Sequence, residues 1–409
     1  MEAFYFISTL FGFYYFLFNK RYFDLFTLAF LSQQIYFMPC LVQFFIGENN
    51  NFHFLVPEVF FIGSLIINFL IIFSLNINIK VNSISVNNKR GGESYFTFYA
   101  TFLALFSFIY CYINIGDILF SGAKADVLNS IDRFYVIWST SSLLGFCSAY
   151  LLNRKYYFLI NLSLILLTVY IGFRSFAVIA LISFILIFFL KRPGISSLLK
   201  DYYKIFLLGV FSFLFFLIYK GVYIAIKFKD YDRVFENLTN PDFYYIALSE
   251  AEPFGIQMIL SDVISYDFFI GMENFKRIIL TFIVFGDSLG IDNKTFNDYF
   301  QPALYGSVGY GMGSNIWAHI YSSGGWILLI LFICFFCLTI RFFSKKVYSV
   351  NTHYKSLWVV LSCYWVFYIH RNDLFYQLGL EKRVVIVFLM AAFLAYLTHF
   401  LIKGFYKKS

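Results

Sequence analysis

The stretch that decides the fold runs from Tyr156 to Leu190, YYFLINLSLILLTVYIGFRSFAVIALISFILIFFL. Its apolar residues form continuous runs and do not alternate with polar ones, so inside lipid the backbone must satisfy its polar groups as helix and not as barrel strand. Arg154 and Lys155 precede the stretch, Lys191 and Arg192 follow it, and Arg174 interrupts its centre two residues after Gly172. One long helix would bury that guanidinium at depth while carrying the same charge pattern at both ends. The reading therefore predicts a hairpin of two helices that turns at Arg174.

The rest of the chain extends the pattern. Of 409 residues, 60% are hydrophobic, 24% aromatic and 13% charged, where soluble domains carry about half apolar and a quarter charged. This excludes a soluble globular protein, and it equally excludes disorder, which needs low hydrophobicity and high net charge. The six cysteines all lie inside apolar runs. Cys334 and Cys337 form a CxxC between ILLILFI and LTI, with no His or carboxylate near, and read as packing groups and not as redox or zinc ligands. The first run starts at Glu2 without a basic leader or a cleavage site, so it is expected to stay in the mature protein.

A span needs about 20 apolar residues, fewer where the bilayer thins. Eleven runs meet that rule: 3–18, 22–46, 54–79, 95–120, 134–152, 156–173, 175–190, 205–226, 316–340, 356–369 and 384–402. Alternating the connections between two sides collects 18 of the 31 basic residues and three of the 23 acidic ones on one side, with 13 basic and 20 acidic on the other. By the positive-inside rule the first side is cytoplasmic, which places the N-terminus outside and the C-terminus inside. The net charge of +8 thus reports orientation, and a nucleic-acid partner has no support. Without internal repeats or linkers, residues 1–409 read as a single membrane domain. Its one irregularity is a large outer loop, 227–315, with 12 acidic and six basic side chains. Within it, 243–248, 254–260 and 278–285 are apolar stretches too short to cross, expected as interfacial or re-entrant helices.

Several residues carry chemistry. Arg174 is either a snorkelling helix-end arginine or a planar fork for phosphate oxygens. Arg233 and Arg277 in the loop are further phosphate clamps, whereas Lys227, Lys229 and Lys276 read as a solvated face. Arg371 stands between His370 and Asp373 in IHRNDLF, a base, a cation and an acid together, with simple salt bridging as the alternative. Asp230 and Asp232 form a DxD of the kind that holds a divalent cation on a diphosphate, but nucleotide sugars are cytoplasmic and this loop is outside. Glu250 and Glu252 are acid or base candidates if apolar neighbours raise one of them, and ordinary loop residues otherwise. The string YGSVGYGMGSNIWAHIYSSGGW, 305–326, combines glycines that admit close backbone approach with a helix start that favours an anion. It lacks the strand and lysine of a nucleotide fingerprint. His319 and Tyr321 fall on the first turns of that helix. There His319 is either a proton acceptor or an interfacial residue in an aromatic belt with Trp317 and Trp326. His53, His353 and His399 read as structural.

Taken together, the many helices, one large outer loop in the second half, GFRS at Arg174, GxGS with HxYSSGG across Gly311–Gly325, and RNDL at Arg371–Leu374 resemble the O-antigen polymerase (Wzy) family of oligosaccharide repeat-unit polymerases. Members often carry Glu where this chain has His319. The resemblance implies an all-α polytopic membrane glycosyltransferase of GT-C-like architecture, with the large loop between helices 8 and 9. It would transfer a growing glycan from undecaprenyl diphosphate onto the next lipid-linked unit, in O-antigen or capsule biosynthesis, at the outer face of a bacterial inner membrane. It implies no metal and no other cofactor, and membrane lipid and a chain-length regulator as partners. On this reading Arg174, Arg233, Arg277 and Arg371 hold pyrophosphate. His319 is the leading base, with Glu250, Glu252 and Asp373 behind it. Gly311, Gly313, Ser314, Tyr321, Tyr305 and Trp317 line the sugar site. An O-antigen ligase shares the chemistry. A lipid-linked oligosaccharide flippase would also be cationic inside, but would not need the large loop and would more often show paired halves.

Overall fold

A computed structural model describes residues 1–18, 24–47, 53–75, 91–121, 124–191, 221–240 except 224, 251–280, 294–306, 313–349 and 354–406, with isolated residues between 203 and 247. Most of the described residues are helical, with no strand among them. Five helices among them are long and apolar enough to cross a membrane, or six if one bent pair counts as a span. The chain separates into two compact units, each discontinuous in sequence.

The first unit comprises Met1–Ile79, Ser249–Lys345 and Tyr364–Lys382. It opens with α1 (Glu2–Phe13), α2 (Leu25–Tyr36), α3 (Met38–Ile46) and α4 (Pro57–Ser74). Asp24 caps α2 by accepting from the Thr27 amide at 2.7 Å. The run expected as one span over 22–46 holds α2 and α3, which meet at a 50° bend next to Pro39. Proline lacks an amide and clashes with the preceding turn, which accounts for the break.

The second unit comprises Lys80–Leu248, Lys346–Cys363 and Arg383–Ser409. It holds α5 (Gly91–Ser121), α6 (Lys124–Ser130), α7 (Arg133–Leu151), α8 (Lys155–Ile171), α9 (Ser175–Lys191) and α10 (Tyr231–Thr239). The hairpin read from the sequence is present. Gly172 ends α8 with φ 110°, a left-handed conformation that favours glycine, and α9 starts one residue after Arg174. Phe184 of α9 packs against Phe158 at the start of α8, so the two helices run back on each other.

The first unit resumes with α11 (Glu252–Ser265), which packs on α2, α3 and α4, and with α12 (Met272–Leu280). The expected apolar stretch 254–260 lies within α11, a 14-residue helix. After the short turn α13 (Asn297–Phe300) comes α14 (Ile316–Tyr348). It is broken at Gly324 and at Gly325, where φ is 63°. The break sets the first two turns, with His319 and Tyr321, apart from the apolar helix beyond. Next comes α15 (Lys355–Val366), then a 3-10 turn (Tyr368–Arg371) and α16 (Leu374–Tyr406). α16 starts ten residues before the expected run at 384, because Glu381, Lys382 and Arg383 are good helix formers and do not stop a helix that Asp373 has already capped.

Candidate functional site

α11 starts on Glu252, with Pro253 in its first turn; a carboxylate there suits the helix dipole. Glu252 also reaches across to Arg371, whose Nη1 lies 2.7 and 2.8 Å from the two carboxylate oxygens. The Arg371 guanidinium sits 4.8 Å over the Tyr368 ring, and its backbone carbonyl accepts from the Ser314 amide at 3.1 Å. Burial works against its charge, but Glu252 together with Tyr368, Tyr36 and Tyr376 holds the group protonated beyond its ordinary value. The two side chains are 30% and 34% exposed. The pair therefore falls between a surface and a buried bridge, at about 1–3 kcal/mol. The sequence placed Asp373 beside Arg371 as acid or partner. In the structure Asp373 instead holds two backbone segments, one oxygen accepting from Tyr376 N at 2.6 Å and the other from Phe296 N at 2.8 Å. Burial pushes this carboxyl up, and the Tyr376 and Phe296 amides pull it back.

Asn315 anchors the segment on the other side. Its Oδ1 accepts from Trp317 N and Ala318 N, capping α14, and its Nδ2 donates to Ile256 O of α11 at 2.9 Å. Trp317, expected to stack on a sugar face, is fully buried and gives its indole N–H to His370 Nδ1 at 3.1 Å. His370 is itself fully buried, 5.4 Å from the Tyr36 ring, and burial lowers its pKa to about 3. Gln257 ties α11 to Tyr36 O at 3.0 Å.

His319 also departs from its expected role at an interface. It is 1% exposed, stacks on Phe296 at 5.0 Å, and its Nδ1 accepts from the Leu374 amide at 3.2 Å. A neutral imidazole has one lone pair, so Nε2 carries the hydrogen. That Nε2 is buried without a hydrogen-bond partner among the described residues. The geometry makes His319 a donor. Taking up a proton would require breaking the Leu374 bond and burying a cation.

Among the other residues singled out, Ser314 and Tyr321 are buried beside this network, Tyr321 lying edge-on to Trp326 at 5.4 Å. Among the described residues, a side chain at Gly313 would meet Ile256, at 3.7 Å. Tyr305 donates its hydroxyl to Asp262. Glu250 and Gly311 lie outside the described residues, and Arg277 is on α12 with its side chain likewise outside them. Arg174 and Arg233 belong to the second unit. There Arg174 is half-buried in the α8–α9 break, close enough to Tyr219 to interact with it electrostatically, and Arg233 is exposed on α10. Asp230 of the DxD caps α10 through Arg233 N at 3.2 Å. Lys227, expected on a solvated face, is 7% exposed, and burial lowers its pKa.

Sequence reading missed Asn315, Gln257, Asp262 and the role of His370. An Asn just before an apolar run is a capping signal, and a lone carboxylate at 262 inside an apolar stretch marks a partner elsewhere. No family model, curated protein or solved structure matches the chain.

Proposed function

We propose that this chain is a membrane glycosyltransferase that polymerises lipid-linked oligosaccharide repeat units, taking the growing glycan from undecaprenyl diphosphate without metal or nucleotide. The observation that carries the reading is the Arg371–Glu252 pair, a cation fixed by Glu252, the Tyr368 ring and the Ser314 amide where two helices meet a 3-10 turn. A lipid diphosphate arriving there exchanges Glu252 for phosphate oxygens that match the guanidinium fork. The sugar diphosphate is already a good leaving group, so the protein's work is to neutralise its departing charge and align the acceptor. Arg174, Arg233 and Arg277 are the further cations of this proposal. Its topology has eleven crossings, with the shorter α1, α8, α9 and α15 among them, and residues 227–315 on the outer face of a bacterial inner membrane.

The deciding experiment uses purified protein in lipid nanodiscs, supplied with synthetic undecaprenyl-diphosphate repeat units and no nucleotide. A ladder of glycan lengths is expected. Arg371→Lys keeps the charge but loses the fork, and should slow laddering by about 100-fold, the cost of one transition-state donor. Transbilayer movement of the labelled lipid without new glycosidic bonds would instead make the protein a flippase. Transfer only to a lipid A core would make it a ligase.

A further inference from the structure

The transfer needs a group that accepts the proton of the attacking sugar hydroxyl, and the residues closest to Arg371 are all committed. Glu252 is bound to Arg371, both Asp373 oxygens take backbone amides, and His319 and His370 present N–H and no lone pair. A different pair in the same unit has the complementary polarity. His53 Nε2 lies 3.0 Å from Asp262 Oδ1, and the Tyr305 hydroxyl donates to the other oxygen of the same carboxylate. Asp262 is 10% exposed and His53 is 42% exposed, so a shielded carboxylate stands behind an accessible ring. With Nε2 donating, the lone pair of the neutral imidazole is on Nδ1. The backbone next to the ring is pinned: Val56 N donates to Ser261 Oγ of α11, and Leu55 N to Gln43. By the charge pattern, His53 falls on the outer side, before the run at 54–79, together with the 227–315 loop that contributes Asp262 and Tyr305.

We propose that His53, oriented by Asp262 and Tyr305, is the proton acceptor for the sugar hydroxyl in the transfer proposed above, on which this inference rests. The hydroxyl proton passes to Nδ1. The freed oxygen pair forms the bond to the anomeric carbon, whose bond to the diphosphate breaks with its electrons leaving on the lipid diphosphate. The imidazolium then returns the proton to water. Asp262 and Tyr305 are positioning residues. The Asp262 hydrogen bond raises the His53 pKa above its ordinary value, and partial burial pulls the other way. The other titratable groups on the surrounding described elements are Glu252 on α11, Tyr266 and Asp267 just after it, Glu2 and Tyr5 on α1, Cys40 on α3 and Glu58 on α4. Among the described residues the ring pairs with Asp262, which sets its titration.

His53→Gln should lower turnover by about 100- to 10,000-fold, the usual span for a removed general base, with the KM for the lipid donor within about threefold. The acid limb of the wild-type rate should fall with protonation of His53, and Asp262→Asn should move that limb to lower pH. A purely structural His53 would move neither limb. Wild-type laddering with an unchanged rate and pH profile in His53→Gln, in protein that elutes and melts as wild type, overturns this inference alone. Absence of laddering in the wild type overturns the function on which it rests. Diethyl pyrocarbonate modification of His53, followed by mass spectrometry across pH, reads the lone pair without turnover. Reactivity whose midpoint drops in Asp262→Asn supports the assignment, and an inert ring overturns it.

Discussion

Both units bury many polar side chains, but they satisfy them in different ways. In the second unit, α7 buries Ser139, Thr140, Ser141 and Ser142 in one run, and the Ser139 and Ser141 hydroxyls donate to carbonyls one turn back on their own helix. Among its described residues the ties that cross between helices are mostly side chain to side chain, such as Asn161 to Thr101 at 2.8 Å, Thr97 with Ser148 at 2.6 Å, Tyr99 with Thr398 at 2.5 Å and Ser183 to Cys363 at 3.3 Å. In the first unit the buried polar groups bond across long sequence separations: Asn315 to Ile256, Trp317 to His370, Leu374 to His319, Phe296 to Asp373 and Gln257 to Tyr36. Hydroxyls that bond their own helix let neighbours approach closely and leave little geometry to specify. Bonds between distant segments fix how those segments meet, which is what a preorganised site requires. Buried polarity alone does not mark a site; polarity shared between segments does.

The sharpest break in that comparison is Asp373→Ala. It strips the acceptor from two backbone amides, Tyr376 N at the start of α16 and Phe296 N on a distant segment. A lost cap plus a buried orphaned amide comes to about 2–4 kcal/mol. Reversible unfolding in detergent should show that loss, and a change no larger than for a hydroxyl on α7 would refute the distinction between the units.

A smaller effect sharpens the role of the cation. Glu252→Gln keeps the shape of the side chain and removes the charge facing Arg371, so stability should fall by about 1 kcal/mol. Affinity for undecaprenyl diphosphate should rise severalfold, because the incoming phosphate no longer displaces a carboxylate. Calorimetric titration reads this directly, and weaker binding in the variant would mean that Glu252 helps to hold the lipid diphosphate and does not occupy its place.

What was legible in the sequence was local. The α8–α9 turn was visible because Gly172 and Arg174 interrupt an apolar run, and the helical membrane class followed from run length and charge. The bend at Pro39 and the early start of α16 were missed for the same reason: apolar run length was weighted above the local signals, a proline in one case and an aspartate cap in the other. The candidate site was legible as residue types but not as partners. Arg371 was read beside Asp373, two residues away, but it pairs with Glu252, 119 positions back. His53 reads as structural in the sequence, and its contact is Asp262, 209 positions on. Adjacency in the chain predicts caps and turns, whereas the partners of a buried charge are chosen by packing.

The smallest expected effect tests the other half of the comparison. Ser141 is fully buried, and its hydroxyl bonds Ile137 O and Trp138 O of its own helix. Those carbonyls already accept from helix amides, so replacing the hydroxyl leaves no orphaned group, and the lost volume is a single oxygen. Ser141→Ala should therefore change unfolding free energy by no more than about 0.5 kcal/mol and leave laddering at the wild-type rate. A loss approaching that of Asp373→Ala would mean that hydroxyls bonded within one helix specify structure as strongly as ties between segments.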